Sequence, residues 1–220
     1  MLKSFKTEIN PSLEQITKIN KTLGVCRYIY NFYLDYNKNL YDREKKFITG
    51  KDFYVWLNNY YLPNNPDKLW IKEVNSKAVK KSVENGYVAF RRFFKHQSEY
   101  PRYKKKNKSN NTMYFVKNNA SDCLCERHRI KIPSLGWVKL KEKGYIPITK
   151  KGNDIISGTI SKRAGRYYIS VLIRLSDLSP PLATGEGIGI DLGVKEFAVV
   201  SNGTIYKNIN KGDRIKKIEK

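Results

Sequence analysis

The sequence predicts an α+β protein: a helical first half, then a strand-rich second half that builds a small β-barrel. Three observations predict it. Between residues 11 and 97 apolar side chains recur at helical spacing. From residue 112 the period changes to short alternating runs separated by Gly, Asn and Ser. Prolines and glycines, Pro63, Pro66 and Gly165 among them, fall where those elements should stop or turn.

The elements follow in order. LKSFKTEI (2–9) alternates and predicts a strand. Asn10-Pro11-Ser12, with Gln15 three residues after Ser12, predicts a capped helix start. Leu13, Ile16, Leu23, Cys26, Tyr30 and Tyr33 then extend that helix to about Lys45. Thr49-x-x-Asp52 caps a second helix carrying Phe53, Trp56, Leu57 and Tyr60, which Pro63 and Pro66 break. A third helical zone spans 67–97, with one apolar stripe of Val79, Val83, Tyr87, Phe90 and Phe94. Strands are expected at 112–117, 123–132, 137–141, 155–161 and 167–175, the last two joined by a hairpin turn over 162–166. Ser179-Pro180-Pro181 reads as a boundary. Beyond it, 187–200 and 204–206 read as strands around a Ser201-Asn202-Gly203 turn, and KGDRIKKIEK (211–220) reads as a helix start.

Charge points to the partner. The 220 residues hold 43 Lys+Arg against 20 Asp+Glu, a net +23, which attracts polyanions. A core of ordinary size is expected from a hydrophobic fraction of 40%. No run approaches the roughly 20 apolar residues that span a bilayer, and MLKSFKTEIN lacks a signal-peptide core. A cytosolic, nucleoid-associated protein with no membrane partner is therefore expected. Cys26, Cys123 and Cys125 are too few and wrongly spaced for a disulfide framework. With only His96 and His128 beside them they do not make a zinc set either, so they read as half-buried thiols.

The cations cluster. YPRYKKKNKSNN (100–111) interleaves Arg102, Lys104, Lys105, Lys106 and Lys108 with Tyr100 and Tyr103, a mixture suited to phosphates and unpaired bases. Lys162, Arg163 and Arg166 sit on one hairpin tip. Lys77, Lys80, Lys81, Arg91 and Arg92 lie largely off the apolar stripe of the third helical zone, where they serve equally as a solvated face or as phosphate contacts.

GIGIDLGVKEFAVV (187–200) places Asp191 inside an apolar run, where a carboxylate is costly unless paired or metal-bound. Asp191 is either the acid of a site or a turn residue. RNase-H-like nucleases open in this way, delivering one carboxylate to a two-metal phosphodiester site that uses Mg2+. One carboxylate does not hold two ions. Glu196, Asp213 and Glu219 are the only acids downstream of it, and none has the apolar context that would aim it at Asp191, so a complete site is not expected.

Taken together, TLGVCRYIYNFYL (22–34), AFRRFFK (89–95), YPRYKKKNKS (100–109), IKIPSLGWVKLKE (130–142), SGTISKRAGRYYISVLI (157–173) and GIGIDLGVKEFAVVSNGTIY (187–206) resemble the N-terminal part of the OrfB/TnpB family. These are insertion-sequence proteins related to type V CRISPR effectors. The resemblance implies a wedge-type β-barrel from residues 1–10 and 106–182, a helical recognition lobe inserted at 11–105, and an incomplete RuvC-like nuclease domain from 183 to 220. It implies guide RNA and double-stranded target DNA as partners, with Asp191 as the first catalytic, Mg2+-binding acid. The sequence departs from the family by ending before the second and third acids and the zinc-ribbon cysteines. Guided binding without cutting is thus the expected function. An active endonuclease once the missing part is supplied is the alternative, and an unguided basic nucleic-acid-binding protein a second one.

Overall fold

A computed structural model describes residues 1–106, 108–109, 112–119, 121–149, 152–176 and 187–208. The chain divides into two units, Met1–Asp177 and Leu178–Lys220. The boundary expected at 179–181 and the helix start at 211–220 lie outside the described residues, as do Asp213 and Glu219.

The first unit begins with strand β1 (Leu2–Asn10) and helix α1 (Leu13–Glu44). Ser12 and Gln15 form the predicted capping box: the Ser12 hydroxyl accepts from the Gln15 amide, and the Gln15 side chain accepts from the Ser12 amide. Lys45, at φ 55°, turns the chain out of the helix. Thr49 caps α2 (Gly50–Trp56), which runs on as a π-helical turn, Leu57–Tyr61.

The third helical zone is two elements. A 3-10 helix, Pro66–Glu73, with proline in its first turn, gives way to extended Val74. The Asn75 side chain then accepts from the Lys77 amide and starts a new helix, α3 (Ser76–Phe94). An Asn able to cap splits a run that periodicity alone reads as continuous.

Strands β2 (Thr112–Val116), β3 (Arg129–Ile132), β4 (Gly136–Leu140), β5 (Asp154–Arg163) and β6 (Arg166–Arg174) follow. With β1 they form one sheet in the order β2-β5-β6-β1-β4-β3, every pairing antiparallel. β1 therefore lies between strands more than 120 residues later, and the helices are connected between β1 and β2. The expected barrel is a curled half-barrel: among the described residues its edges, β2 and β3, do not pair with each other. The strand expected over 123–132 is a bent hairpin. Cys123 has φ 55°, Cys125 bridges to Ile130, and Glu126 pairs with Arg129 across the bend at 2.7 Å. Both thiols are buried, which pushes each up to about 12.

Two buried clusters share α1 as a wall. Ile19, Leu23 and Cys26 pack with Met113, Phe115, Ile160, Ile169 and Val171 of the sheet. Val25, Ile29, Tyr33 and Leu34 pack with Phe53, Leu57, Val83 and Phe90 of the helices. The helical cluster is edge-to-face aromatic, as in Tyr33 against Phe53 at 5.1 Å and 79°.

The second unit holds β7 (Ile190–Leu192), β8 (Glu196–Val200) and β9 (Ile205–Lys207) in one antiparallel sheet. The single strand expected over 187–200 is thus two, divided where Gly193 turns back so closely that a Cβ would stand 3.0 Å from the Glu196 carbonyl oxygen.

Candidate nucleic-acid interface

The hairpin between β5 and β6 turns on Ala164 and Gly165, both at positive φ (48° and 76°), as a two-residue type I′ turn requires. That turn holds Lys162, Arg163 and Arg166 at an exposed tip. The tip is fastened to α1: Lys162 Nζ and Tyr167 Oη both donate to Asn20 Oδ1, at 3.4 and 3.3 Å.

An open groove of about 790 Å3 lies where the tip, α1 and the basic loop meet. Its cations are Arg27 of α1, Lys106 and Lys108 of the loop, and Lys162 and Arg163 of the hairpin, and among the described residues no carboxylate lines it. Three segments far apart in sequence thus present uncompensated positive charge to one concavity, the electrostatic footprint of a phosphodiester backbone. Gly24 lies in the same lining, between Asn20 and Arg27 on one stripe of α1.

The other side of the tip opens onto the solvent face of the half-barrel, a second concavity of about 940 Å3. Alternation puts Met113, Phe115, Ile160, Ile169 and Val171 on the core face. The opposite face carries two rows across the strands. One runs Tyr114, Thr159, Ser170, Lys6, and the next runs Thr112, Ser161, Tyr168, Glu8. Hydroxyl donors flanked by Lys6, Arg163 and Arg166 match phosphate and sugar oxygens.

The remaining basic residues are distributed differently. Lys104 faces inward: its ammonium lies 4.3 Å from the Tyr30 ring centroid, and burial holds it below the ordinary lysine range. Its backbone is clamped by Asn31, which donates to the Lys104 carbonyl at 3.0 Å and accepts from its amide at 2.8 Å. Lys104 therefore serves as an internal strut of the basic loop. Arg102 pairs with Glu99. The Tyr103 hydroxyl donates to Asp35 at 3.3 Å and is raised by burial and by that carboxylate. Lys105 is exposed, its amide bonded to Ser109 Oγ. On α3, Lys77, Lys80 and Arg92 are exposed, Arg91 lies over Tyr87, and Lys81 pairs with Glu84 and lies 5.6 Å from the Tyr114 ring. None of these residues lines either groove.

Arg27, Asn20, Lys6 and the hydroxyl rows were not singled out from the sequence. The signal for the first two was the polar stripe Asn20, Gly24, Arg27 with a glycine inside a long helix.

Asp191 sits at the centre of β7, opposite Val199. It is exposed, as are Ile190, Leu192, Phe197 and Ile205 around it, so the buried setting expected from the run is absent. No cluster of three His, Cys, Asp or Glu side chains occurs among the described residues. Those residues do not fit a two-ion magnesium site, which needs several carboxylates. No helix is long and apolar enough to cross a membrane among the described residues.

A helix-turn-helix domain family of the OrfB–IS605 type matches residues 1–46. Here that span is β1 followed by the single helix α1. The chain is 25% identical over 209 residues, 95% of its length, to an Escherichia coli K12 protein provisionally named RNA-guided DNA endonuclease InsQ. It is 24% identical over 210 residues to a Streptomyces pristinaespiralis protein provisionally named RNA-guided DNA endonuclease, covering 94% of the chain. It spans about 50% of the length of each. A chain from the cryo-EM structure of a Cas12f1–sgRNA–target DNA complex superposes with TM-score 0.40 at 12% identity, covering 100% of this chain and 59% of the other.

Proposed function

This chain belongs to the OrfB/TnpB family of insertion-sequence proteins, and from that premise we propose that it is an RNA-guided DNA-binding protein. The observation that carries the reading is the groove in which Arg27, Lys106, Lys108, Lys162 and Arg163 converge with no carboxylate among the described lining residues. The names of the two relatives support a guide RNA and a DNA target as the partners in this reading. In this reading residues 1–10 and 106–182 form the wedge, 11–105 the recognition lobe, and 183–220 the opening of the RuvC-like domain.

Binding proceeds by phosphate neutralisation. Each cation that contacts a phosphate releases a counterion, so log K falls with log salt by about 0.7 to 0.9 per contact. The hairpin tip stands between the two concavities and contributes to both, which makes it the sensitive point of the interface.

The test is a salt titration of binding to guide-length RNA and to duplex DNA. Replacing Lys106, Lys108, Lys162 and Arg163 with glutamine lowers the magnitude of the slope by about 3. An unchanged slope removes the groove from the interface.

A second reading, Mg2+-dependent cleavage, is favoured by Asp191 and by the length of the relatives, which is twice that of this chain. It requires carboxylates beyond the described residues to complete the metal site. Assaying residues 1–220 with guide RNA, target DNA and Mg2+ tests the first reading against cleavage by these residues themselves: cut target overturns guided binding alone, and intact target with the guide RNA still bound supports it.

A further inference from the structure

At the end of the helical cluster, away from both grooves, is a pocket of about 440 Å3. Its walls are aromatic: Phe47 at the α1–α2 connection, Phe90 and Phe94 on the last turns of α3, Tyr41 on α1, and Tyr100 where the basic loop begins. Phe47 packs edge-to-face with Phe90 and Phe94, at 79° and 87°, and Phe90 and Phe94 lie nearly parallel to each other at 18°. Tyr41, Phe94 and Tyr100 are 52%, 54% and 47% exposed, so the mouth of the pocket is ring surface that a ligand can reach.

The rim is charged in a specific way. Lys38 lines the pocket, and Lys45 lies 4.9 Å from the Tyr41 ring centroid. Asp42 is the one carboxylate among the described lining residues, and it acts on the Tyr100 hydroxyl. An apolar peptide side chain would gain nothing from this ring of charges. An unpaired nucleotide uses all of it: the base stacks on aromatic faces, its phosphate meets the ammonium groups, and an exocyclic amine donates to the carboxylate.

Position agrees. Tyr100 opens the loop that carries Lys106 and Lys108 to the groove, a reach to Lys106 of at most about 22 Å of extended chain. A single strand leaving the groove along that loop would arrive at the pocket.

We propose that this pocket binds one unpaired base of the bound RNA, and that Asp42 selects bases bearing an exocyclic amino group over uracil. The inference rests on the nucleic-acid reading above. Its test is the affinity of the full chain for short oligo(C) and oligo(U) RNA across a range of salt. The wild-type chain binds oligo(C) more tightly. Phe94→Ala weakens oligo(C) binding by about 5- to 140-fold, the worth of one stacked base, and leaves the salt slope unchanged. Phe94→Tyr retains affinity, and Asp42→Asn erases the preference for C over U.

Equal affinity of Phe94→Ala and wild type for oligo(C), or equal wild-type affinity for the two oligomers, overturns the proposal. So does binding of an aromatic peptide that Phe94→Ala abolishes while RNA affinity stays put. Failure of the parent reading looks different, because the wild-type chain would then show no salt-dependent binding to any oligomer.

Discussion

Gly24 lies inside α1, where glycine costs about 0.5–1 kcal/mol relative to alanine. Packing does not require it, since a Cβ placed there meets nothing within 4 Å. Its place in the groove lining between Asn20 and Arg27 gives a reason: the absent side chain admits close approach of a ligand backbone. Gly24→Ala is therefore expected to act in opposite directions, raising stability by about 0.5–1 kcal/mol in urea unfolding while weakening polynucleotide binding. A variant that gained stability at unchanged affinity would show that no ligand reaches this turn of the helix. Lys104 makes the complementary point. In sequence it is one more cation of a basic loop, yet Asn31 and Tyr30 draw it inward. Residue type alone assigned it to the interface, and its neighbours hold it half-buried and outside both groove linings.

The β5–β6 hairpin is the element on which both concavities depend. Its turn places Ala164 at φ 48°, a region where a residue with a Cβ pays a steric cost that asparagine bears better. Ala164→Asn should stabilise the fold by a few tenths of a kcal/mol up to about 1 kcal/mol, measured by thermal or urea unfolding, and preserve binding because the tip cations keep their places. Loss of binding in that variant would mean the tip must deform to engage its ligand. This hairpin was legible in the sequence, and so were the caps at Ser12 and Thr49, because each is set by side chains and backbone within a few residues. The division of 67–97 was not, since it turns on whether Asn75 caps or continues. Nor was the bend within 123–132, where the Glu126–Arg129 pair and Cys123 at positive φ override an alternating pattern. The open edges of the half-barrel and the convergence of Arg27 with Lys106 and Arg163 are long-range outcomes that spacing along one segment does not encode.

At the scale of the whole molecule, burial is unequally divided. Every member of the two buried clusters lies within Met1–Asp177, including the wall that α1 provides to both. In the described part of the second unit the buried hydrophobic residue is Ala198, while Ile190, Leu192, Val194 and Phe197 are exposed. Among the described residues no face of these three short strands is covered, and three such strands do not sustain a fold in water by themselves. The described residues that line both grooves and the aromatic pocket belong to the first unit. It follows that a fragment of residues 1–177 should unfold in one cooperative transition and bind polynucleotide with the same salt slope as the full chain, since the groove cations are all retained. Residues 178–220 alone should show no such transition. In the full chain, Asp191→Ala should leave both stability and binding where they were, because the carboxylate is exposed and outside the groove linings. If 1–177 aggregates, or binds with a markedly shallower slope, then the strands from 187 onward supply either cover for the first unit or phosphate contacts of their own.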